Sequence, residues 1–529
     1  METTLNRRAF LRVNAIAAGA ACAAKAASAG SIVTTSSGKI RGAIEGKVHA
    51  FKGVPYGAST EGTRFLPPAK PRPWTEIRDA LEYGPASPQT PSNLIPESMA
   101  QQPKSDGHGN EDCLNLNLWT PAPGGGKRPV MVWFHGGGYS AGSGNWNMYN
   151  GANLAAKRDV VVVTVNHRLN VFGYLYLAEL GGEKFAQASN VGMLDCIAAL
   201  EWVRDNAAAF GGDPGNVTIF GQSGGGGKVS TLMAMPAAKG LFHRAIAMSG
   251  SDVKGVPRER ATMGAEAFLA KLGLKPNQVE ELQKMPRAQL LEAMHAVRGL
   301  QLAPVTDGRT LPADPFDPVA SPLSATVPFM ISSTETEVTW NNNVNFDPLD
   351  DAALRGRVAQ QLRIDGSAAE KLIAVYKKGR PKASNLDLFF IISTDASNFR
   401  TGTDIEAERK AEQGKAPVYK AYFQWYSPVR EGKLRSYHTL DIPFVFENVD
   451  IAESMVGTGP ERQPLADKMS GAFAAFARTG NPNHKGIPKW EPFDTTRRAT
   501  MIWNNECRAV NDPYREERLA RAEVLRKQA

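Results

Sequence analysis

The chain of 529 residues is poor in cysteine and has no long apolar run, and each absence excludes a class of protein. Its 4 cysteines are too few for a fold that depends on a framework of disulfides. No apolar run reaches the roughly 20 residues that a membrane-spanning helix needs, so we expect no stable membrane insertion. Internal repeats and low-complexity blocks are also missing from the sequence. The chain is therefore predicted to fold as a large globular protein.

Three common signatures of ligand binding are missing as well. No cysteine and histidine cluster has the spacing of a zinc site, and the sequence lacks the glycine fingerprint of a dinucleotide-binding turn. The net charge is +8, but the basic residues do not cluster among aromatic ones, so nucleic acid is not indicated as a partner. The sequence predicts neither a metal nor an organic cofactor.

What the chain does contain is an alternation of short apolar runs with helical stretches such as 191–209. This alternation predicts an α/β fold, with a mostly parallel central sheet and helices on both of its faces. Charged helical stretches at 255–300 and 350–415 are interpreted as insertions that form a cap around a pocket. The runs that read as strands are 130–134, 159–165, 217–220, 244–248, 327–331 and 417–423.

The most informative stretch begins with the strand-like run 217–220. A Gly-x-Ser-x-Gly turn at 221–225 follows it directly, and 228–235 reads as a helix. Strand, turn and helix in this order predict a nucleophile elbow, in which a serine lies on a sharp turn. Ser223 is then expected at a helix N-terminus, where free N–H groups favour developing negative charge. This is the context that an acyl-transfer nucleophile needs.

A second Gly-x-Ser-x-Gly match, at 138–142, has a different context. It lies several residues beyond the run 130–134, and 144–147 after it reads as a loop, so Ser140 is the weaker candidate nucleophile. The glycine run 135–138, which starts with histidine directly after a strand, has a better interpretation. Such a loop is typical of enzymes that bind an oxyanion with bare backbone N–H groups.

Together these stretches resemble the type-B carboxylesterase/cholinesterase family of α/β-hydrolases over nearly all of 30–515. The resemblance implies one α/β-hydrolase domain at 30–529, although the length alone would favour about three domains. It also implies a serine carboxylesterase that acts on a small-molecule ester without a cofactor. The matching stretches are 51–57, 111–121, 135–138, 166–173 and 206–227.

The resemblance further implies an acidic residue shortly after a strand. The run 327–331 reads as that strand, and alignment of the strand ends puts Glu337 at the position of the family's acid. Glu335, two residues earlier, stays the alternative, because 332–334 replaces the Gly-x-Asn sequence that opens this motif in the family.

The histidine of the triad is assigned in the same way. His438 lies in 436–446, which resembles the family's catalytic-histidine segment, with Thr439 where many members have glycine. The order Ser223, Glu337, His438 is the order found in α/β-hydrolases. In this interpretation the histidine takes the proton of the serine, and the glutamate fixes the imidazole tautomer.

The oxyanion of the tetrahedral intermediate is expected, by analogy with the family, to accept hydrogen bonds from the N–H groups of Gly137, Gly138 and Gly224. His135 is expected to shape this glycine loop rather than to act in catalysis.

Features of the substrate are predicted less directly. Gln222 precedes the nucleophile where cholinesterases carry glutamate, which disfavours a cationic choline ester. An amidase or carbamate hydrolase stays an alternative function, because the same triad cleaves those bonds, and a non-catalytic binding protein of the same fold is a further one. Aromatic candidates for the pocket, each of which is equally compatible with core packing, are Tyr139, Trp146, Trp340, Phe389 and Phe390.

The first 29 residues predict a twin-arginine signal peptide. Arg7 and Arg8 are followed by a mildly apolar run at 13–24 and by small residues at 27–29. Export to the periplasm or the medium is therefore expected, and a lipoprotein anchored at Cys22 is disfavoured.

Three cysteines remain after the predicted cleavage, namely Cys113, Cys196 and Cys507. Relatives often pair the first of them with an upstream cysteine, but 30–112 contains none. Three buried free thiols are the simpler prediction, and a bridge between Cys113 and Cys507 is the alternative.

Overall fold

The computed structural model describes residues 29–91, 94–103 and 109–526. The predicted signal segment therefore lies outside the described residues, except for Ala29 at its end.

Within this described part, 13 strands form one sheet and two short strands pair separately. The order across the large sheet is β1-β2-β3-β5-β7-β6-β8-β9-β12-β13-β14-β15, with β4 beside β2, and β10 pairs with β11. In chain order the strands are β1 (Ala29–Thr34), β2 (Lys39–Glu45), β3 (Val48–Pro55), β4 (Arg78–Asp79), β5 (Asn115–Thr120), β6 (Arg128–Phe134), β7 (Val161–Val165), β8 (Gly212–Gln222), β9 (Arg244–Met248), β10 (Val256–Pro257), β11 (Val305–Thr306), β12 (Phe329–Thr334), β13 (Val418–Phe423), β14 (Ala499–Trp503) and β15 (Arg508–Asn511).

The centre of the large sheet is parallel. Strands β7, β6, β8, β9, β12, β13 and β14 run in one direction, whereas β1, β2, β3, β5 and β15 pair in antiparallel fashion at the two sides. Parallel strands that are covered on both faces read as continuous apolar runs, and β7 is a run of this kind with every residue buried. The mostly parallel sheet predicted from the alternation of runs is confirmed.

Helices cover both faces of this sheet. In chain order they are α1 (Pro96–Met99), α2 (Ala152–Arg158), α3 (Asn170–Tyr174), α4 (Val191–Asn206), α5 (Gly224–Leu232), α6 (Arg258–Lys271), α7 (Arg287–Ala296), α8 (Asp351–Leu362), α9 (Gly366–Gly379), α10 (Asn385–Asp395), α11 (Asn398–Glu412), α12 (Ile442–Val445), α13 (Glu453–Val456), α14 (Arg462–Thr479) and α15 (Arg515–Arg526).

The two faces of the sheet carry separate apolar cores because successive side chains of a strand point to opposite sides. Val130 and Val132 of β6 pack with α4 and α5 on one face. Met131 and Trp133 of the same strand pack with α2 and α14 on the other. This sandwich fixes where the carboxyl ends of the parallel strands lie, and the loops that follow those ends form the site described below.

The predicted insertions are helical. Residues 255–300 form α6 and α7, which pack against Val171 and Phe172 in a core of their own. Residues 350–415 form α8 to α11, and α11 packs against β12 and β13. In the ranges that the structure describes, no helix combines the length and apolar character needed to cross a membrane.

The three cysteines at 113, 196 and 507 are buried and free. This confirms the prediction of three buried thiols and excludes the alternative bridge between Cys113 and Cys507.

Candidate active site

Ser223 lies in a sharp turn between the central strand β8 and helix α5. The strand ends at Gln222 and the helix begins at Gly224, so the serine itself makes the turn. Its backbone has φ 59° and ψ −128°, a conformation that costs a residue with a side chain strain energy. A 2.8 Å hydrogen bond from its N–H to the carbonyl oxygen of Met248 in β9 holds the turn in place.

The glycines after Ser223 let α5 approach the sheet closely. A Cβ atom on Gly225 would lie 2.0 Å from the carbonyl oxygen of Phe134, the last residue of β6. The sequence predicts a helix over 228–235, whereas the helix of the structure begins at Gly224, although glycine is a poor helix former. Packing of the glycine backbone against neighbouring strands overrides the local propensity, and the helix N-terminus therefore lies directly beside Ser223.

The loop after β6 lies against the same helix N-terminus. Gly137 and Gly138 have φ of 92° and 60°, a region that glycine adopts readily, so the loop can turn back on itself. A Cβ atom on Gly224 would lie 2.1 Å from the carbonyl oxygen of Gly138. The three glycines predicted to bind an oxyanion are thus brought together by the ends of β6 and β8.

His135 opens this loop as a buried structural side chain. Its ring stacks on that of His167, with centroids 4.8 Å apart, and its Nδ1 lies 2.8 Å from the carbonyl oxygen of Gly136. Burial, assisted by the nearby positive charge of Lys228, lowers the pKa of His135 to about 3. The ring is therefore neutral at neutral pH.

Glu337 and His438 form a buried pair at the carboxyl end of β12. Glu337 Oε2 lies 2.6 Å from His438 Nδ1, and the other carboxylate oxygen accepts a 2.6 Å hydrogen bond from the N–H of Thr334. Both side chains are almost completely buried. Because the carboxylate accepts a hydrogen bond from the Nδ1–H group, the lone pair of the neutral ring lies on Nε2.

Glu335, the alternative acid, lies in a different environment. Its Oε1 accepts hydrogen bonds from Arg380 Nη1 at 2.5 Å and from Gln424 Nε2 at 2.9 Å. The carboxylate is therefore committed to a buried ion pair rather than to the histidine.

Two residues beside His438 shape its surroundings. Thr439, which replaces the glycine of many relatives, has φ 80°, a conformation that is unusual for a β-branched residue. The amide nitrogen of Gln222 lies 3.3 Å from His438 Nδ1 and 3.4 Å from Nε2. In the described part of the chain, the hydrogen bonds of the His438 ring go to Glu337 and Gln222.

Ser223 and His438 open into one cavity of about 390 Å³, a size typical of small-molecule sites. The predicted pocket residues Trp146, Gln222 and Trp340 line it, as does Phe399 of α11, whose ring centroid lies 4.5 Å from that of His438. No sequence pattern predicts several other residues of the lining, which are Leu94, Met148, Tyr149 and Thr439.

Three aromatic candidates lie elsewhere, and the prediction is corrected for them. The hydroxyl of Tyr139 donates to Asp252 and its ring packs on that of Tyr174, and Tyr139 is not among the described residues that line the cavity. Phe389 packs under the guanidinium of Arg357, and Phe390 packs against Phe346. Neither of these phenylalanines is among the described residues that line the cavity, and 255–300 contributes none.

A strained serine at a helix N-terminus, a glycine loop and a carboxylate–histidine pair around one cavity define a recognisable α/β-hydrolase site. The model of the carboxylesterase family matches residues 29–522 of the chain. The chain belongs to the carboxylesterase family. It is a carboxylic ester hydrolase with the α/β-hydrolase fold.

Relatives of this carboxylesterase cover nearly its whole length. The para-nitrobenzyl esterase of Bacillus subtilis (strain 168) is 36% identical over 502 residues, which cover 92% of this chain and 97% of the relative. A solved carboxylesterase of Geobacillus stearothermophilus has a TM-score of 0.79 and 36% identity, and the match covers 92% of this chain and 99% of that one. A solved esterase of Clostridium hathewayi is described as able to hydrolyze aliphatic aromatic polyesters. It has a TM-score of 0.81 and 33% identity, and the match covers 94% of this chain and 99% of that one.

One further carboxyl group lies beside the carboxylate–histidine pair of this carboxylesterase. Burial, with a smaller contribution from Glu337, raises the pKa of Asp441 to about 8. Asp441 is therefore protonated at neutral pH and adds no second negative charge next to Glu337. No group of three or more His, Cys, Asp or Glu side chains within 29–91, 94–103 and 109–526 is arranged to hold a metal ion.

Proposed function

We propose that this carboxylesterase cleaves its ester through a triad of Ser223, His438 and Glu337. The observation that carries the assignment is the 2.6 Å contact between Glu337 Oε2 and His438 Nδ1 at the edge of the cavity that Ser223 enters. With Nδ1 bound to the carboxylate, Nε2 is the nitrogen left to take a proton from the serine. The hydrogen bond between such a nitrogen and the serine is often long in the free enzyme and shortens when substrate is bound.

The reaction then follows two half-cycles. Ser223 Oγ attacks the ester carbonyl carbon while His438 takes its proton, and the resulting oxyanion accepts hydrogen bonds from the N–H groups of Gly137, Gly138 and Gly224. The intermediate collapses, the C–O bond to the alcohol breaks, and the imidazolium returns the proton to the leaving alkoxide. Water attacks the acyl-enzyme by the same route and releases the carboxylic acid.

The cavity favours neutral esters with an aryl or other bulky apolar group. Apart from His438, every side chain that lines it is uncharged, and four of them are aromatic. A cationic substrate finds no carboxylate in this lining, because Gln222 precedes the nucleophile. The names of two of the three bacterial relatives, a para-nitrobenzyl esterase and an esterase of aliphatic aromatic polyesters, are consistent with aryl-containing substrates.

Hydrolysis of p-nitrophenyl esters from acetate to laurate by residues 30–529 tests this proposal. We expect turnover that depends on Ser223, with a preference set by the cavity volume, and slower cleavage of the matched p-nitroanilides. Faster cleavage of the anilides would favour the amidase alternative, and turnover that survives Ser223→Ala would contradict the triad.

We also propose that residues 1–29 direct export through the twin-arginine route. The paired arginines at 7 and 8, the apolar run and the small residues at 27–29 support it, as does a family match that starts at residue 29. Replacing Arg7 and Arg8 with lysine is expected to leave the protein in the cytoplasm of a bacterial host, whereas export of that variant at the wild-type level would contradict the route.

A further inference from the structure

Lys228 is a fully buried lysine in the second turn of α5, directly under the oxyanion loop. Its Nζ donates to the carbonyl oxygen of Gly138 at 2.8 Å, and to those of His135 and Gly224 at 3.3 Å each. An ammonium group has three donors, and here each one points to a backbone carbonyl. Two of these carbonyls belong to the loop after β6 and the third belongs to the elbow helix.

The surroundings of Lys228 explain why its charge matters. Lysine is rarely buried without a carboxylate partner, yet the hydrogen bonds of the Lys228 ammonium in the described residues go to backbone carbonyls. The ring of Tyr139 lies 4.8 Å from Nζ, and the hydroxyl of that tyrosine donates to Asp252, so the carboxylate is held in the same buried cluster. Nearby Thr231 also donates to Asp252, at 3.0 Å.

We propose that the Lys228 ammonium is a positioning group for the oxyanion hole. It ties the loop that carries Gly137 and Gly138 to the helix that begins at Gly224, and it places a buried positive charge behind the hole. This inference rests on the proposed function, since it assigns a role to a group that supports the same oxyanion site. Lys228 contacts backbone carbonyls and no reacting atom, so it acts through the glycines.

If Lys228 has this role, its removal weakens stabilisation of the transition state and leaves substrate binding nearly unchanged. Removal of one donor of an oxyanion hole costs on the order of 10²–10³ in kcat. A group that only positions those donors is expected to cost less, about 10- to 100-fold, with KM changed by no more than about threefold, because the ground-state carbonyl carries little charge.

A buried ammonium at this position also predicts that kcat depends on pH in the alkaline range. Burial lowers the pKa of Lys228 to about 8. Below that pH the side chain is a protonated ammonium, and above it the amine has one donor fewer and no charge. Four groups that face Lys228 stay neutral between pH 7 and 9, because burial holds the pKa values of His135 and His167 low and those of Tyr139 and Cys196 high. Burial also raises the pKa of the Asp252 carboxyl above its usual value. We therefore expect kcat to fall as pH rises through about 8.

Lys410 supplies a matched control in the same chain. It is also fully buried in a helix, α11, and its Nζ donates to the carbonyl oxygens of Ser324 and Ala325 at 2.8 and 2.9 Å and to Gln413. Burial lowers the pKa of Lys410 to about 8 as well. Neither Lys410 nor any of its three partners lines the cavity, so this lysine shows what loss of a buried lysine does to the fold alone.

The test compares Lys228→Met with Lys410→Met on a p-nitrophenyl ester that the wild-type protein hydrolyses. We measure kcat and KM from pH 6.5 to 9.5 and the inhibition constant of a trifluoromethyl ketone, which forms a tetrahedral adduct with an oxyanion. We expect Lys228→Met to lower kcat 10- to 100-fold, to weaken the inhibitor by a similar factor and to lose the alkaline limb. Lys410→Met is expected to keep all three at wild-type values.

Equal effects of the two variants, or a Lys228→Met variant with wild-type kcat, would overturn the inference while leaving the triad intact. Absence of Ser223-dependent turnover in the wild-type protein would instead overturn the proposed function. Should Lys228→Met fail to fold, Lys228→Gln takes its place, because it keeps a donor for the Gly138 carbonyl without the charge. Wild-type kcat and wild-type inhibitor affinity in that variant would contradict a role for the ammonium.

Discussion

The chain contains the pattern Gly-x-Ser-x-Gly twice, and the two copies lie in different structures. At 221–225 the pattern starts inside β8 and ends in α5, so Ser223 is forced into a left-handed backbone and enters the cavity. At 138–142 the pattern follows the end of β6 by several residues, and Ser140 lies exposed in a turn held by its own N–H to the carbonyl oxygen of Gly137.

The difference shows that the chemistry comes from the elements on either side of the pattern. A strand end that leads straight into a helix N-terminus supplies strain, free N–H groups and a place at the mouth of the sheet. The loop with the same sequence pattern gives Ser140 neither a strained backbone nor a helix N-terminus nor a place at a strand end. The same loop instead carries Gly137 and Gly138, whose N–H groups we propose as donors to the oxyanion that forms at Ser223.

The largest expected effect separates the two serines. Ser223→Ala is expected to lower kcat by on the order of 10⁶, because it removes the nucleophile of a covalent mechanism. Ser140→Ala is expected to stay within about twofold of wild type, as an exposed substitution does. Steady-state hydrolysis of a p-nitrophenyl ester by the two purified variants measures the difference, and comparable losses would abolish the contrast between the two copies.

The next effect separates the two glutamates after β12 in the same way. Glu337→Gln is expected to lower kcat by about 10⁴, since loss of the carboxylate leaves the imidazole without its orienting partner. Glu335→Gln is expected to keep kcat and to lower the free energy of unfolding by about 2 kcal/mol, because the buried Arg380 loses one of its two charged partners and keeps Glu517.

Enzyme assays of both glutamate variants measure kcat, and urea unfolding measures the free energy of unfolding. The reverse ranking, with the larger loss of kcat in Glu335→Gln, would reassign the acid.

The smallest effect concerns the residue that precedes the elbow serine. Gln222→Glu places a carboxylate beside the His438 ring, which stabilises the protonated ring and so moves the acidic limb of kcat/KM up by about one pH unit. Gln222→Met, of similar volume and without charge, is the control and is expected to leave that limb in place. A limb that stays fixed in both variants would mean that this position does not influence the histidine.

The sequence predicted those parts of the site that are fixed by strand ends. Strands β6, β8, β9, β12 and β13 lie where their apolar runs placed them, within a few residues at each end. The order of the motifs then brings the elbow, the glycine loop and the carboxylate–histidine pair to one edge of the sheet. The apolar periodicity of strands and helices and the glycines of tight turns are local features of the sequence, so they predict where the strands end.

Other parts depend on contacts that no local pattern encodes. The start of α5 was misplaced because close packing of Gly225 on Phe134 outweighs the weak helix propensity of glycine. Tyr139 was placed in the pocket, but its hydroxyl donates to Asp252, 113 residues later, and it does not line the cavity. Lys228 went unnoticed for the same reason, since its three partners come from two segments that meet only in the folded chain.

Labelling with a fluorophosphonate, which phosphonylates an activated serine, tests the central claim most directly. Trypsin separates the two candidates, because Ser223 lies in the peptide 205–228 and Ser140 in the peptide 128–157. We predict that mass spectrometry of the labelled 30–529 protein finds one phosphonyl group, on Ser223, and finds none when the protein carries Glu337→Gln under the same brief exposure. A label on Ser140, or equal labelling of both peptides, would contradict the assignment of the elbow.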